Sequence, residues 1–175
     1  MGPTAASEPG PGGAPQPAAG PGNWQRTLPP DPGALFAYGT LRFPEVLREL
    51  LGRLPSLTEG TVAGWRVAAL TDRTYPGLVR APGATAAGVL ITGLTGGEWQ
   101  LLDRYEDDDY GIEQLVLTDQ RNATTYVWRN ESEAAPHDWS APDFARQYLA
   151  DFALRCRAWR ERYDAGQTWR VTDPY

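Results

Sequence analysis

The stretch Leu35-Phe-Ala-Tyr-Gly-Thr-Leu-Arg-Phe-Pro-Glu-Val-Leu-Arg-Glu-Leu-Leu51 predicts a strand, a tight turn and a helix in immediate succession. Residues 35–38 are apolar enough for a short buried strand, which Gly39 ends. A helix is predicted over 44–51, because Pro44 suits a first helical turn and apolar side chains then recur at helical spacing. These side chains are Val46, Leu47, Leu50 and Leu51.

The turn at Tyr38-Gly-Thr-Leu41 is a candidate binding site for a negatively charged group. Successive backbone N–H groups in such a turn can converge on one anion, and the N-terminus of the following helix adds a positive dipole. A carboxylate is therefore a natural ligand. A strand followed by Gly-Thr is also a common turn without a binding role, and the loop alone leaves both interpretations open.

A second candidate is Glu106, within Trp99-Gln-Leu-Leu-Asp-Arg-Tyr-Glu-Asp-Asp-Asp-Tyr110. Trp99, Leu102 and Tyr105/Glu106 recur at three- and four-residue steps, so a helix here places Glu106 on its apolar face. A desolvated carboxylate resists ionisation, which holds it near the working pH of a general acid or base. The alternative is a helix-end carboxylate that bends to solvent. The opposite face, predicted to meet water, carries Gln100, Asp103 and Asp107.

The composition of the 175-residue chain suits one domain with its own core and excludes several kinds of site. All 16 basic residues are arginine, so there is no lysine for a Schiff base or a P-loop. The net charge of −6 argues against a nucleic-acid partner. No apolar run is long enough to span a membrane. A single cysteine and a single histidine exclude an internal disulfide and a Cys/His zinc site, and fit a reducing cytoplasm.

Three further groups have structural interpretations. Cys156 lies at helical spacing from Phe152 and Trp159, which predicts a small buried hydrophobe. His137 is predicted to lie in a surface loop rather than in a catalytic site. The run Asp107-Asp-Asp109 predicts a solvated loop, and a hard-metal site formed by its carboxylates is the alternative.

The chain divides into three predicted segments. Residues 1–33 are nearly half proline and glycine and cannot bury enough apolar surface to fold, so they predict a disordered N-terminal tail. This tail lacks the basic and apolar regions of a secretory signal. Residues 34–165 are predicted to form the folded domain, and 166–175 an irregular C-terminal tail.

Within the domain, strands are predicted over 60–70, with a glycine at a bulge, and over 86–92. A turn is predicted at Tyr75-Pro-Gly77. The helix that carries Glu106 is predicted to begin at Thr95 or Gly96, and 112–118 with 124–128 predict a hairpin.

Ser140 is predicted to cap a last helix, with Asp143 at the third position of a capping box, and this helix is predicted to continue to about Tyr163. Strands with interspersed helices, without regular alternation, indicate a single α+β domain. Its sheet is predicted to be small, mixed and curved, or closed into a barrel, with flanking helices.

Together these motifs resemble the γ-glutamylcyclotransferase-like family, in its γ-glutamylamine cyclotransferase or avirulence-induced-gene-like branch. Tyr38-Gly-Thr-Leu41 followed by Arg42-Phe-Pro-Glu-Val-Leu47 looks like the signature loop of that family. The resemblance covers about residues 35–152. The remaining motifs follow in the family's order: Tyr75-Pro-Gly77, Gly88-Val-Leu90, Leu102-Asp-Arg-Tyr-Glu106 to Tyr110, Tyr126-Val-Trp128 and His137-Asp-Trp139.

The resemblance implies a barrel-like sheet with one cavity and a cofactor-independent acyltransferase or lyase that uses no metal. The expected substrate is a small γ-glutamyl compound, whose α-amine attacks its own γ-carbonyl to release 5-oxoproline and a free amine or amino acid. Glu106 is then the catalytic acid/base, and the signature loop binds the α-carboxylate. The substrate-binding residues carried over are Tyr38, Gly39, Thr40, Leu41, Tyr75 and Tyr110.

Two observations keep alternatives open. The tyrosines have a plain interpretation as core and rim aromatics. Family members also often carry an arginine after the tyrosine that matches Tyr110, and a glycine after the glutamate, whereas this chain has Gly111 and Asp107. The alternative function is a non-catalytic member of the same fold that binds a small acid or serves as a scaffold.

Overall fold

The computed structural model describes residues 27–106 and 108–167. Asp107, residues 1–26 of the predicted N-terminal tail and residues 168–175 lie outside the described residues. No helix in the described part of the chain is long and apolar enough to cross a bilayer.

The described end of the predicted tail, residues 27–33, lies against the domain. Leu28 packs against the apolar core. The indole Nε1 of Trp99 donates to the carbonyl oxygen of Gly33 over 3.3 Å. The hydroxyl of Thr124 donates to the carbonyl oxygen of Pro32 over 2.6 Å. These contacts connect residues 32 and 33 to the helix that contains Trp99 and to the strand that contains Thr124.

Six strands form one curled, mixed sheet with the shape of a half-barrel. Their bounds are β1 Leu35–Ala37, β2 Ser56–Leu70, β3 Pro76–Thr92, β4 Tyr110–Val116, β5 Asn122–Trp128 and β6 Ala134–Asp138. The order across the sheet is β4-β5-β1-β3-β2-β6. β1 pairs in parallel with β5, and the other neighbours are antiparallel. The predicted fold class, α+β with a curved mixed sheet, is confirmed.

Four α-helices accompany the sheet in the described residues: α1 Pro44–Leu51, α2 Gly96–Tyr105, α3 Ala141–Gln147 and α4 Leu149–Asp164. α1 has the predicted bounds. α2 begins where predicted, because Thr95 caps it: its hydroxyl accepts from the Glu98 N–H (3.2 Å), and its own N–H donates to the Glu98 carboxylate (2.7 Å).

The core lies on both faces of the sheet, since neighbouring β1 residues point to opposite sides. Leu35 and Ala37 join the cluster that includes the helices. Phe36 and Tyr38 join a second cluster, on the other face. β1 therefore lies between two apolar layers, and its end delivers Tyr38 and the signature loop into the interior of the molecule.

The glycine predicted at a bulge is confirmed at Gly64, whose φ of +82° lies in the left-handed region. The pairing of β2 with β3 shifts register between Ala63 and Trp65. Such a bulge bends a long hairpin and adds twist, which contributes to the curl of the sheet.

The turn predicted at Tyr75-Pro-Gly77 is wrong. Pro76 and Gly77 are the first residues of β3 and pair with Ala69 and Ala68, as a strand's first residue tolerates proline. The chain reverses earlier, at Asp72, with φ +59°. Gly77 serves packing instead, since a Cβ there would lie 2.6 Å from the Cβ of Trp128.

Two further predictions need correction. The last helix is interrupted at Tyr148, whose φ of −129° and ψ of −21° leave the helical region, so Ser140 caps only α3. This break lets Phe144 of α3 pack edge-on against Phe152 of α4. His137, predicted in a surface loop, is an exposed residue of β6, because this segment pairs with β2.

Candidate functional site

A cavity of about 60 Å³ lies where β1 runs into the signature loop. One water needs roughly 10–15 Å³ by this measure, so the cavity has room for about four or five waters, the size of an amino-acid head group. All seven residues predicted for the site line it: Tyr38, Gly39, Thr40, Leu41, Tyr75, Glu106 and Tyr110. The wall also includes β1, Pro76, Tyr105 and Tyr126.

The signature loop is a strand end followed by a single 3-10 turn over Thr40–Arg42. Gly39 precedes this turn, and the Arg42 N–H donates to the Gly39 carbonyl over 3.1 Å. The first N–H groups of a helical turn have no acceptor within the turn, and Gly39 has no side chain that could accept them. Backbone donors of this kind suit a carboxylate in the cavity.

Gly39 lies in close contact with Pro76. A Cβ at this position would lie 3.0 Å from Cγ and 3.2 Å from Cδ of Pro76, and its φ of −100° is accessible to any residue. The loop and the start of β3 therefore approach so closely that a side chain at position 39 would require a shift of a few tenths of an ångström.

Glu106 is the first residue after α2, with φ −69° and ψ 137°, and its N–H donates to the Leu102 carbonyl over 2.9 Å. The prediction that placed it within the helix is corrected by one residue, because the backbone turns to an extended conformation there. Its side chain is half-buried and lines the cavity beside Tyr105.

The face of α2 predicted to meet water is only partly exposed. Gln100 is exposed as predicted. Asp103 is half-buried, and its Oδ1 accepts a hydrogen bond from the Tyr126 hydroxyl over 3.3 Å. This contact corrects the water-facing assignment of Asp103, because the curled sheet brings Tyr126 of β5 across it.

Three buried tyrosines surround Glu106. Burial is the largest cause that raises the pKa of Tyr38, Tyr105 and Tyr110 well above the ordinary value, and the negative charge of Glu106 adds to the rise in all three. These phenols are therefore neutral hydroxyl groups over the whole physiological pH range.

Tyr75 forms the half-buried part of the wall, with its ring 6.5 Å from that of Tyr110. Its hydroxyl accepts a hydrogen bond from Nη1 of Arg73 over 2.6 Å. Sequence reasoning missed Arg73. The only signal in the sequence is its position two residues before Tyr75, since the contacts that it makes come from distant segments.

The remaining candidates lie at or outside the edge of the site. Cys156 is buried as predicted, its Sγ lies 3.3 Å from the Tyr105 hydroxyl, and burial raises its pKa to about 12. Asp109 is exposed and pairs with Arg73 over 3.4 Å. In residues 27–106 and 108–167, no group of three or more His, Cys, Asp or Glu side chains is arranged to hold a metal.

Comparison with known proteins identifies relatives of the chain. A family model described as "Gamma-glutamyl cyclotransferase, AIG2-like" matches residues 35–144. AIG2-like protein C of Arabidopsis thaliana is 29% identical over 133 residues, which cover 73% of this chain and 77% of that protein. A Methanocaldococcus jannaschii protein named gamma-glutamylcyclotransferase and putative RNase is 34% identical over 100 residues, 54% of this chain and 44% of that protein.

Solved structures share the fold. An Arabidopsis thaliana protein whose structure was determined in solution has a TM-score of 0.54 at 23% identity, covering 82% of this chain and 95% of its own. A structure named gamma-glutamyl cyclotransferase has a TM-score of 0.50 at 12% identity, and the match covers 82% of this chain and 90% of that one. At these identities the similarity establishes the half-barrel fold.

Proposed function

Because this chain belongs to the gamma-glutamyl cyclotransferase, AIG2-like family, we propose that it catalyses γ-glutamyl cyclotransfer on a small γ-glutamyl compound. The α-amine nitrogen attacks the γ-carbonyl carbon, the bond from that carbon to the leaving nitrogen breaks, and 5-oxoproline and a free amine or amino acid result. One observation carries the proposal: Glu106 and the loop from Tyr38 to Leu41, on separate elements, line the same cavity.

The loop is proposed to hold the α-carboxylate of the substrate. Its backbone N–H groups favour an anion, and the cavity volume of about 60 Å³ suits the head group of the γ-glutamyl unit. Fixing the carboxylate restricts the substrate to conformers in which the amine can reach the γ-carbonyl. Positioning of this kind is a major source of rate enhancement in intramolecular reactions.

Glu106 is proposed to transfer both protons. Its carboxylate takes a proton from the α-ammonium group, which frees the nitrogen lone pair for attack, and gives this proton to the leaving nitrogen as the C–N bond breaks. The ring nitrogen then loses a second proton, which Glu106 passes to the released amine, so that a neutral lactam and an ammonium group result. The buried phenols of Tyr38, Tyr105 and Tyr110 stay neutral, so they add no charge to the cavity in which this exchange takes place. These steps use no metal, cofactor, histidine or lysine.

The test is incubation of the purified protein with γ-glutamyl amino acids and γ-glutamylamines, with release of 5-oxoproline measured by mass spectrometry. We expect turnover of at least one compound. Binding of γ-glutamyl compounds without any 5-oxoproline would instead support the non-catalytic acid-binding alternative. Neither binding nor turnover across the panel would contradict both functions.

A further inference from the structure

Arg73, in the loop between β2 and β3, contacts Tyr75 in the cavity wall and Asp109, which directly precedes Tyr110 of that wall. We propose that Arg73 is a positioning residue that fixes Tyr75 and the segment after Glu106 relative to each other. The inference rests on the cyclotransferase activity proposed above, and it concerns the geometry of that same site.

The contacts of the Arg73 guanidinium define the role. Nη1 donates to the Tyr75 hydroxyl over 2.6 Å, and Nη2 donates to the Asp109 carboxylate over 3.4 Å. The Glu133 carboxylate lies 3.9 Å from Nη2. The planar group also lies over the Trp128 ring, 5.1 Å from its centroid. Four segments of the chain thus converge on one cation.

The contact of Arg73 with Tyr75 is partly buried, and the Arg73 side chain is 27% exposed. Asp109 is 51% exposed, so its ion pair with Arg73 is the weaker contact. A guanidinium has five donors in a rigid plane, so it can bond a phenol and a carboxylate while it stacks on an indole. A flexible ammonium group cannot reproduce the whole arrangement.

Asp109 connects this cluster to Glu106. The two residues lie on the same connection between α2 and β4, in which Glu106 is bound to α2 through its N–H. The carbonyl of Asp109 accepts from the Arg129 N–H over 3.1 Å, and its carboxylate accepts from Arg73. The connection is therefore held at Asp109 by the backbone of Arg129, directly after β5, and by the Arg73 side chain. The Arg129 side chain also donates to the Asp108 carbonyl over 3.2 Å.

The same cation acts on the neighbouring tyrosine. Trp128 packs edge-on against Tyr110 with centroids 4.9 Å apart, so the Arg73–Trp128 contact supports the Tyr110 ring. Gly111, directly after Tyr110, has no side chain to supply charge. The positive charge of Arg73 instead acts on Tyr110 and lowers its pKa slightly against the dominant effect of burial.

Loss of Arg73 is expected to loosen Tyr75 and the connection that follows Glu106 without removing either from the site. Misplacement of a reacting group by about 1 Å costs roughly 100-fold in rate. For Arg73→Gln we expect kcat to fall by about 10- to 100-fold, with a smaller change in KM because Arg73 acts on the carboxylate-binding loop only indirectly, through Trp128 and Tyr110. Arg73→Lys keeps the charge and a donor, and we expect partial rescue of kcat.

The matched control is Arg157→Gln, which removes a two-point ion pair with Glu49 between α4 and α1, away from the cavity. All variants are compared for kcat, KM, melting temperature and hydrogen exchange of residues 108–113. We expect only the Arg73 variants to lose kcat, and Arg73→Gln to exchange faster in that segment at an unchanged melting temperature.

The outcomes separate the two proposals. If the wild-type protein turns over a γ-glutamyl compound and Arg73→Gln retains its kcat and its hydrogen exchange, the positioning role is wrong. An equal loss of kcat in the glutamine and lysine variants, together with a lower melting temperature, would show a structural role instead. If the wild-type protein releases no 5-oxoproline, the proposed function fails. The anchoring of residues 108–113 by Arg73 can still be tested in that case, and unchanged hydrogen exchange of this segment in Arg73→Gln would overturn it.

Discussion

The hydroxyl of Tyr110 donates a hydrogen bond to the carbonyl oxygen of Pro76 over 2.7 Å, in the buried wall of the cavity. Tyr110 begins β4 and Pro76 begins β3, and two strands, β5 and β1, separate these two in the sheet order. The bond therefore joins two strands that are not neighbours in the sheet. It holds Pro76 against Gly39 and so connects the tyrosine wall to the carboxylate-binding loop.

Tyr110→Phe removes this bond and leaves the Pro76 carbonyl buried without its partner. An unsatisfied buried acceptor costs about 1–3 kcal/mol, so we expect a melting temperature several degrees lower and a higher KM, because the loop loses support. Thermal unfolding and steady-state kinetics measure both. Tyr148→Phe, at a position 40% exposed, is the control and is expected to resemble the wild type. Equal stability of the two variants would contradict the importance of this bond.

Gly39→Val is predicted to impair substrate binding more than folding. Its Cβ meets Pro76 at 3.0 Å, so the loop must move away from the wall that faces the substrate. We expect KM to rise by at least about tenfold, which is a free-energy loss of about 1.4 kcal/mol. Gly97→Val, where a Cβ has open space, is the matched control. A folded Gly39→Val protein with unchanged affinity would show that the loop does not bind the α-carboxylate.

Stability is predicted to fall steeply at alkaline pH. Burial raises the pKa of Cys156 to about 12 and that of Tyr38, Tyr105 and Tyr110 well above 10.0. Above about pH 9 the unfolded chain releases these protons while the native state retains them, so the free energy of unfolding decreases as pH rises. The stability that these buried, protonated groups contribute is fully present below about pH 9 and is lost progressively toward pH 12 and above.

The measurement is the urea midpoint as a function of pH, with tyrosinate absorbance followed in parallel. Tyrosine ionisation is expected to coincide with unfolding for the buried phenols. In Cys156→Ala the fall in stability is expected to begin about one pH unit higher, near the ordinary tyrosine value of 10.0. A midpoint that stays constant or rises over this range would contradict the burial of these groups.

The sequence predicted a helix boundary or a bulge correctly where residues within a few positions determine it. The bounds of α1 follow from Pro44 and its apolar stripe, and the start of α2 follows from Thr95 and Glu98, because capping and periodicity act within a few residues. The bulge at Gly64 was likewise visible as a glycine inside a strand pattern.

The sequence did not predict features that depend on contacts with distant segments of the chain. The Pro-Gly pair at 76–77 has the composition of a turn, yet it belongs to β3, because Trp128 of another strand occupies the space beside Gly77. The break at Tyr148 was not visible in the sequence, because Phe144, Tyr148 and Phe152 keep helical spacing across it. Arg73 carries no motif, since Tyr75, Asp109, Glu133 and Trp128 gather around it only in the folded chain.

The predicted site residues came from a resemblance in ordered motifs, and the structure brings all seven to one cavity. Their chemical roles remain predictions. The helical pattern located Glu106 on the correct side of α2, because the buried face of that helix ends in Tyr105 beside it. It could not show that the helix stops one residue earlier, where the backbone becomes extended.

The most direct test of the account is Glu106→Gln, scored for 5-oxoproline release, substrate binding and melting temperature. Glutamine keeps the size and polarity of the side chain but cannot accept the α-ammonium proton, and general-base catalysis contributes about 10²–10⁴-fold. Glu161→Gln, which replaces an exposed carboxylate of α4, is the control and is expected to match the wild type. We predict that Glu106→Gln loses at least about 100-fold in turnover, while the fold and the affinity for the γ-glutamyl compound are retained. Turnover above about one tenth of the wild-type value would contradict the role of Glu106 as the general acid and base.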